Sequence, residues 1–395
     1  MAYDLKIFTE IIEPSAVNQV YTLLSLPPFA DAKVRIMPDV HMGTGCVVGF
    51  TATLGDKVIP NVIGVDIGCG MLTVCLGKIN PSLAELDSFI RENIPSGGAL
   101  RPSYSSEEMV SQLYCFKELC DLDRIYRSLG TLGGGNHFIE LDRDDEGNIY
   151  LIIHTGSRNL GLQVAKIYQK KAIEACKNSA DSERARVHNE LMRQGKVELL
   201  HSEMEKITKR YSSRTKTPSD FCYFEGDECE AYLHDMRLCQ EFARKNRRKI
   251  ADDIMRHLGV FKAESFETMH NFIDDKGIVR KGAIPAHKGE RVIIPMNMRD
   301  GCLIAKGLGN EDWNESAPHG AGRLVSRGEA RELFTEDEYK EAMQGIYTSS
   351  ANMSTIDESP MAYKPMQEII DRIGDTVEIE KIIKPIYNFK DSKRG

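Results

Sequence analysis

Five short segments set metal-binding or nucleophilic side chains among glycines. The first is Gly64-Val65-Asp66-Ile67-Gly68-Cys69-Gly70, with an aspartate and a cysteine three apart in a turn. Glycines let the backbone fold tightly enough to aim both side chains at one point. A thiolate can bridge two metal ions, and a carboxylate favours hard divalent cations. The second is Gly133-Gly134-Gly135-Asn136-His137-Phe138-Ile139-Glu140. Three glycines are costly in chain entropy, and the usual compensation is close approach of backbone to a ligand, often a phosphate. The third is His154-Thr155-Gly156-Ser157-Arg158, a histidine leaving an apolar run into a polar turn, and the fourth is His270-Asn271-Phe272. A lone histidine at one such place is most often structural, but three of them, each at an element end, weaken that reading.

The fifth segment, His319-Gly320-Ala321-Gly322-Arg323, suits a nucleophile beside a phosphate. Backbone amides among small residues can cradle the phosphate, and the arginine can neutralise it. His41, in Pro38-Asp39-Val40-His41-Met42-Gly43, reads better as a residue that supports the site than as a ligand.

Elements must hold these segments in place. Valine- and isoleucine-rich runs flanked by Gly, Pro and Asp predict strands at Val34 to Met37, Val47 to Thr53, Val62 to Val65, Met71 to Leu76, Leu151 to Ile153, Val292 to Ile294 and Cys302 to Ala305. Helical periodicity covers Leu160 to Lys177, with Asn159 as N-cap, then Ser182 to Arg210 and Cys229 to Leu258. The last two are expected to pair as a hairpin beside the β-rich core. Further helices are expected at Glu329 to Met343 and Tyr363 to Asp371. No linker or repeat interrupts this order. The expectation is one α/β domain over 1–395, a mixed sheet core ringed by helices, with a helical insertion at about 160–258.

No run approaches the roughly 18 apolar residues a membrane span needs. MAYDLKIFTE lacks the basic start and apolar stretch of a signal peptide, so a cytoplasmic location is expected. The ten cysteines form no CxxC pair, which removes zinc-ribbon and thioredoxin-like motifs. A net charge of −8 excludes a nonspecific nucleic-acid coat but allows an enzyme with a local basic track. Two candidate tracks are Lys206, Lys209, Arg210, Arg214, Lys216 and Arg244, Lys245, Arg247, Arg248, Lys249. The plainer reading of each is a solvated helix face.

GVDIGCGM, GGGNHFIE, HTGSRNLG, HNF and HGAGR in this order, between PDVHMGTGCVVG and KPIYNFK, resemble the RtcB RNA ligase family over nearly the whole chain. The resemblance implies two Mn²⁺ ions bridged by Cys69, with Asp66 and His137 completing one site and His154 and His270 the other. It implies His319 as the histidine that becomes guanylylated by GTP. Nucleotide contacts then fall on Asn136, Glu140, Asn271, Gly320, Ala321, Gly322, Arg323 and Lys390, with His137 and His270 at the metals. The family's nucleotide loop falls on Pro295, Asn297, Met298 and Cys302. That loop departs from the family's PGSMG-like pattern: Met296 stands for a glycine, and Asn297 and Cys302 stand for serines. The chain also runs on through DSKRG after Lys390. The implied reaction joins RNA 2′,3′-cyclic phosphate or 3′-phosphate ends to 5′-hydroxyl ends, in RNA repair or tRNA splicing, with an archease-like activator as a candidate partner. Two other readings fit the residues: a metal-dependent RNA-end phosphodiesterase, and a catalytically weak RNA- or nucleotide-binding relative.

Overall fold

A computed structural model describes residues 3–103 and 105–391; the last four residues of the DSKRG extension lie outside them. A seven-stranded sheet is antiparallel throughout, in the order β13 (Arg291–Asn297), β14 (Gly301–Gly307), β16 (Val377–Phe389), β6 (Phe138–Arg143), β7 (Ile149–Thr155), β5 (Gly70–Gly77) and β9 (Glu264–Met269). A five-stranded sheet runs β1 (Asp4–Ile7), β2 (Lys33–His41), β3 (Val48–Thr53), β11 (Ile278–Lys281) and β10 (Asn271–Ile273), and only β1–β2 is parallel. The α/β class and the mixed sheet both match expectation. Two short pairs complete the strands: β4 (Lys57–Val58) with β8 (Phe224–Glu225), and β12 (Ala283–Pro285) with β15 (Ser316–Pro318).

Strand alternation sorts side chains between the faces of the large sheet. Leu72, Ile139, Leu141, Leu151 and Ile153 pack with Leu86 and Ile90 of the helix Leu83–Asn93 and with Ile250, Ala251 and Ile254 of the helix Glu228–His257. Their neighbours Met71, Phe138 and Ile152 face the other way, toward Ile293, Ile304 and Ile383. His154, Glu140 and Asp142 share that second face by the same period of two. The sheet curls until its edges meet, where the Ile293 amide donates to Thr268 Oγ1 at 3.2 Å.

Several element expectations need correction. Val62 to Val65 is not a strand. Pro60 opens a one-turn helix, Pro60–Ile63, and Gly64 ends it at φ +84°. The helix expected from Leu160 begins at Arg158, so Asn159 is not its cap; Asn159 Oδ1 instead accepts from Gln163 Nε2 at 2.6 Å. Ser182 to Arg210 breaks at Gly195, φ +69°, into Asp181–Arg193 and Leu200–Thr215, and these two pack on each other. The third helix, Glu228–His257, runs 30 residues beneath the large sheet rather than closing a peripheral hairpin. Glu329 to Met343 is two helices, because Thr335 forms a capping box that starts the second. The last helix starts at Met366, after Pro365, rather than at Tyr363.

Candidate metal centre and nucleotide cavity

The turn between the helix Pro60–Ile63 and β5 brings Asp66 and Cys69 to the end of the large sheet. Three connections fix it. The Gly68 amide donates to Asn271 O at 2.9 Å, the His270 amide donates to Cys69 O at 3.0 Å, and buried Arg247 donates through Nη1 to Gly68 O at 3.0 Å and Thr155 O at 2.8 Å. Asn246, one residue earlier on the helix, accepts from the Gly130 and Thr131 amides at 2.7 and 3.0 Å. The helix Glu228–His257 therefore clamps three of the loops that carry ligands.

Cys69 Sγ lies 3.6 Å from His137 Nε2 and 3.4 Å from His154 Nε2. His137 Nε2 is 2.9 Å from Asp66 Oδ2. Two sets of donor atoms converge, Asp66–Cys69–His137 and Cys69–His154–His270, and Cys69 belongs to both. His137 Nδ1 donates to Leu132 O at 3.0 Å and His154 Nδ1 to Asn136 O at 3.2 Å. The His154 ring thus turns its Nε2 lone pair toward the thiol, while His137 Nε2 faces both the thiol and Asp66 Oδ2. His270 Nδ1 is buried and has no hydrogen-bond partner.

The donor set fits divalent cations. Burial holds the His154 and His270 imidazoles neutral, well below the usual histidine range. Burial, then the Asp66 carboxylate, pushes the Cys69 thiol well up in the absence of a metal. Burial also acts to raise Asp66, but the His137 hydrogen bond and the charges of His137 and Arg158 keep it ionised, well below the usual carboxylate range. Facing lone pairs with an orphaned buried nitrogen are what a bound cation resolves. Soft sulfur with imidazole and carboxylate does not by itself choose manganese over zinc.

A cavity opens beside this cluster. His319 stands in its wall after β15, its ring centroid 4.9 Å from that of His270. Asp39, fully buried near the end of β2, takes three donors from the His319 turn on one oxygen. They are His319 Nδ1 at 2.6 Å, the His319 amide at 3.0 Å and the Gly320 amide at 3.2 Å. Nδ1 therefore carries a proton toward Asp39, and Nε2 is the ring nitrogen left without that partner. The amides of His319 and Gly320 are engaged by Asp39, so they do not form the phosphate cradle expected from the sequence. The small residues serve a close approach instead: a Cβ on Gly322, φ +75°, would lie 2.3 Å from Asp39 O. The first of the three glycines has a related cause. A Cβ on Gly133 would lie 1.8 Å from the Arg158 guanidinium, so the chain there makes room for a side chain.

The family described as tRNA-splicing ligase RtcB matches residues 19–120 and 116–391, which together span nearly all of the chain and every segment of this site. The chain belongs to the RtcB family. It is 28% identical to RNA-splicing ligase RtcB of Escherichia coli K12 over 96% of this chain and 95% of that protein. It is 25% identical to tRNA-splicing ligase RtcB of Methanococcus maripaludis over 95% of this chain and 91% of that one. The corresponding protein of Aeropyrum pernix is 26% identical over 88% and 85%.

Of the residues the RtcB resemblance assigns to the nucleotide, Asn136, Glu140, His270, Pro295, Asn297, Met298, His319, Gly320, Ala321, Gly322, Arg323 and Lys390 line the cavity. His137, Asn271 and Cys302 do not. Asn271 is tied into the metal turn, with Nδ2 donating to Asp66 O at 3.2 Å, and Cys302 is buried behind Glu140. Asn297 is occupied locally: its amide donates to Asp300 at 2.8 Å and its oxygen accepts the Arg299 and Asp300 amides. Arg323 is spent on the carbonyls of Val325 and Asp357.

Sequence reading gave no role to several residues that build the site. Asp39 is one; its signal was an acid in an otherwise apolar strand. Glu358 is another, buried among Lys390 Nζ at 2.9 Å, Arg327 Nη1 at 2.6 Å and the Tyr363 hydroxyl at 2.8 Å. Burial would raise Glu358, but Lys390 and Arg327 bring it down to about 2. His41 does line the cavity; its Nδ1 donates to Asp39 O at 3.0 Å, and burial lowers it to about 4.

Proposed function

We propose that this chain is a GTP-dependent RNA ligase that works through a guanylyl-histidine intermediate on His319. The observation that carries this reading is the Asp39–His319 pair, which holds Nδ1 and leaves Nε2 as the available ring nitrogen in the wall of the cavity, beside the two candidate metal-donor sets. The names of the RtcB relatives, RNA- or tRNA-splicing ligases, support the RNA-joining part. In this reading Nε2 attacks the α-phosphate of GTP, an N–P bond forms, and the bond to pyrophosphate breaks. An oxygen of an RNA 3′-phosphate, free or opened from a 2′,3′-cyclic phosphate, then takes the GMP and frees the imidazole. A 5′-hydroxyl attacks the activated phosphate, loses its proton and displaces GMP. Asp39 holds the imidazole tautomer through these steps and stabilises positive charge on the ring.

Two Mn²⁺ ions would be held by Asp66, Cys69, His137, His154 and His270, and when bound they supply charge neutralisation and alignment for phosphoryl transfer. Residues 1–395 then act as one ligase domain, with 160–258 as its helical insertion, in the cytoplasm, with an archease-like protein as a candidate activator. Among the described residues no helix is long and apolar enough to cross a membrane.

The test is incubation with GTP labelled at the α-phosphate and Mn²⁺, followed by denaturing electrophoresis. The label is expected on the protein, lost in acid as a phosphoramidate is, and absent from His319→Ala. That variant is expected to keep its metals and to seal RNA already carrying a 3′-terminal GMP. Normal labelling of His319→Ala would reject the assignment. RNA-end hydrolysis without any label would identify a phosphodiesterase instead.

A further inference from the structure

One cluster at the back of the cavity is not explained by the steps above. Glu140 and Asp142 stand two apart on β6, on the same face, and both are buried. Cys302 reaches them from β14: its thiol donates toward Glu140 Oε1 at 3.7 Å. From β16 the Asn388 amide donates to Glu140 Oε2. The acidic and thiol atoms of the three residues lie within 4.8 Å of one another. Glu140 lines the cavity; Asp142 and Cys302 lie behind it.

The anomaly is Asp142, fully buried, with neither oxygen in a well-formed hydrogen bond among the described residues and only the Cys302 thiol nearby as a weak donor. One of its oxygens lies within 4.8 Å of a Glu140 oxygen, and two ionised carboxylates buried that close repel each other. Apolar Phe138, Ile304 and Ile383 fill the same face. The cations that act on the pair are Lys384 and Lys390, both from the β16 end of the sheet, and Lys390 is already paired with Glu358. A buried pair so placed keeps one proton between two oxygens.

We infer that Asp142 is a positioning residue for nucleotide selection: it holds a proton, donates it to Glu140, and so fixes Glu140 as an ionised acceptor in the cavity wall. Burial and the neighbouring Glu140 charge both push Asp142 well above the usual carboxylate range, in agreement. With donors from Asp142, Cys302 and Asn388 behind it, Glu140 offers only lone pairs to the cavity. Such a wall suits a base edge of N–H donors, as in guanine with its ring N–H and exocyclic amine. It rejects adenine, which turns a ring-nitrogen lone pair to the same edge. Cys302 then has a role, that of a third donor with little competing acceptor strength.

This inference rests on the guanine-nucleotide reading, so binding and labelling are measured in parallel. Calorimetry with GTP and ATP on the Mn²⁺-loaded protein reads the inference; histidine labelling reads the function. Asp142→Asn keeps a donor toward Glu140 and is expected to keep the GTP-to-ATP affinity ratio within about threefold of the parent. Asp142→Ala removes the donor and is expected to cut that ratio about tenfold or more, mainly through GTP, with the metal content unchanged. Cys302→Ala removes the third donor without opening a polar gap and is expected to cut it about threefold, which keeps the test open if Asp142→Ala does not fold. An unchanged ratio in the folded variants overturns the inference, as does an equal loss in Asp142→Asn and Asp142→Ala. A further equivalent of divalent metal, lost on mutating Asp142 or Cys302, also overturns it and makes the cluster a cation site. A parent that binds GTP selectively but never labels leaves this inference standing and removes the ligase reading.

Discussion

Asp39 shows how much one buried carboxylate decides. Its Oδ2 takes three donors from a single turn, which fixes both the position and the tautomer of His319. Asp39→Asn presents an amide where an acceptor is needed and favours the wrong tautomer. Labelling by GTP is expected to slow by about 10³-fold, with metal content unchanged; a labelling rate within threefold of the parent would remove Asp39 from this role. Cys69 is the corresponding residue of the metal cluster, the one shared by both donor sets. Cys69→Ala is expected to lose both metals together, whereas His154→Ala weakens one by about 10- to 100-fold. Metal analysis that finds two equivalents bound to Cys69→Ala would reject the shared thiol.

At the scale of elements, the site depends on glycines that let two loops touch. A Cβ at Gly156, just past the end of β7, would lie 2.0 Å from Asp66 Oδ1. The contact is with a metal-facing carboxylate, so relief comes by moving Asp66. Gly156→Ala is expected to weaken metal binding by at least about tenfold at the Asp66–Cys69–His137 set. Gly322→Ala meets the Asp39 carbonyl instead, at a left-handed backbone angle. Its strain, on the order of 1–3 kcal/mol, falls on the His319 turn. That variant is expected to keep its metals and lose most of its GTP labelling. Metal titration beside labelling separates the two; loss of both functions in both variants would mean that the loops are not independent.

For the whole molecule, the question is where an acidic protein would accept RNA. Each of the two basic tracks read from the sequence loses one member to the interior. Arg214 is buried against Glu228, and Arg247 is buried against the Cys69 turn. Arg210, Lys206, Arg244 and Lys249 pair with Glu183, Glu203, Glu241 and Asp253. A groove passes instead from Asp66 and Arg158 along Gly97, Gly98 and exposed Arg124 to Arg327, where it joins the nucleotide cavity. Arg124→Glu is expected to weaken RNA binding and lower the slope of its salt dependence by about one, while Lys209→Glu leaves the slope unchanged. The opposite pattern would return the RNA path to the helix Leu200–Thr215.

The sequence by itself carried the candidate metal donors, the candidate nucleophile and most of the strands that hold them. Their residue types are chemically restrictive, and a strand's period of two is local. His154 faces the site because Ile153 faces the helix-covered core; the apolar run in LIIHT marks the strand, and the structure shows which face is which. Helix ends set by proline, glycine or a capping box, such as Pro60, Gly195 and Thr335, were also local but were masked by longer apolar patterns. What only the tertiary structure decided was which distant groups meet. Asp39 and His319 are 280 residues apart, and nothing in either segment announces the other. The same holds for Arg158 beneath Gly133, for Arg247 inside a helix that reads as a solvated face, and for Asp142 behind Glu140. Charge and hydrogen-bonding partners are set by proximity in space, and burial gives them their strength, so a residue's role in this site is fixed only once the sheet has curled around it.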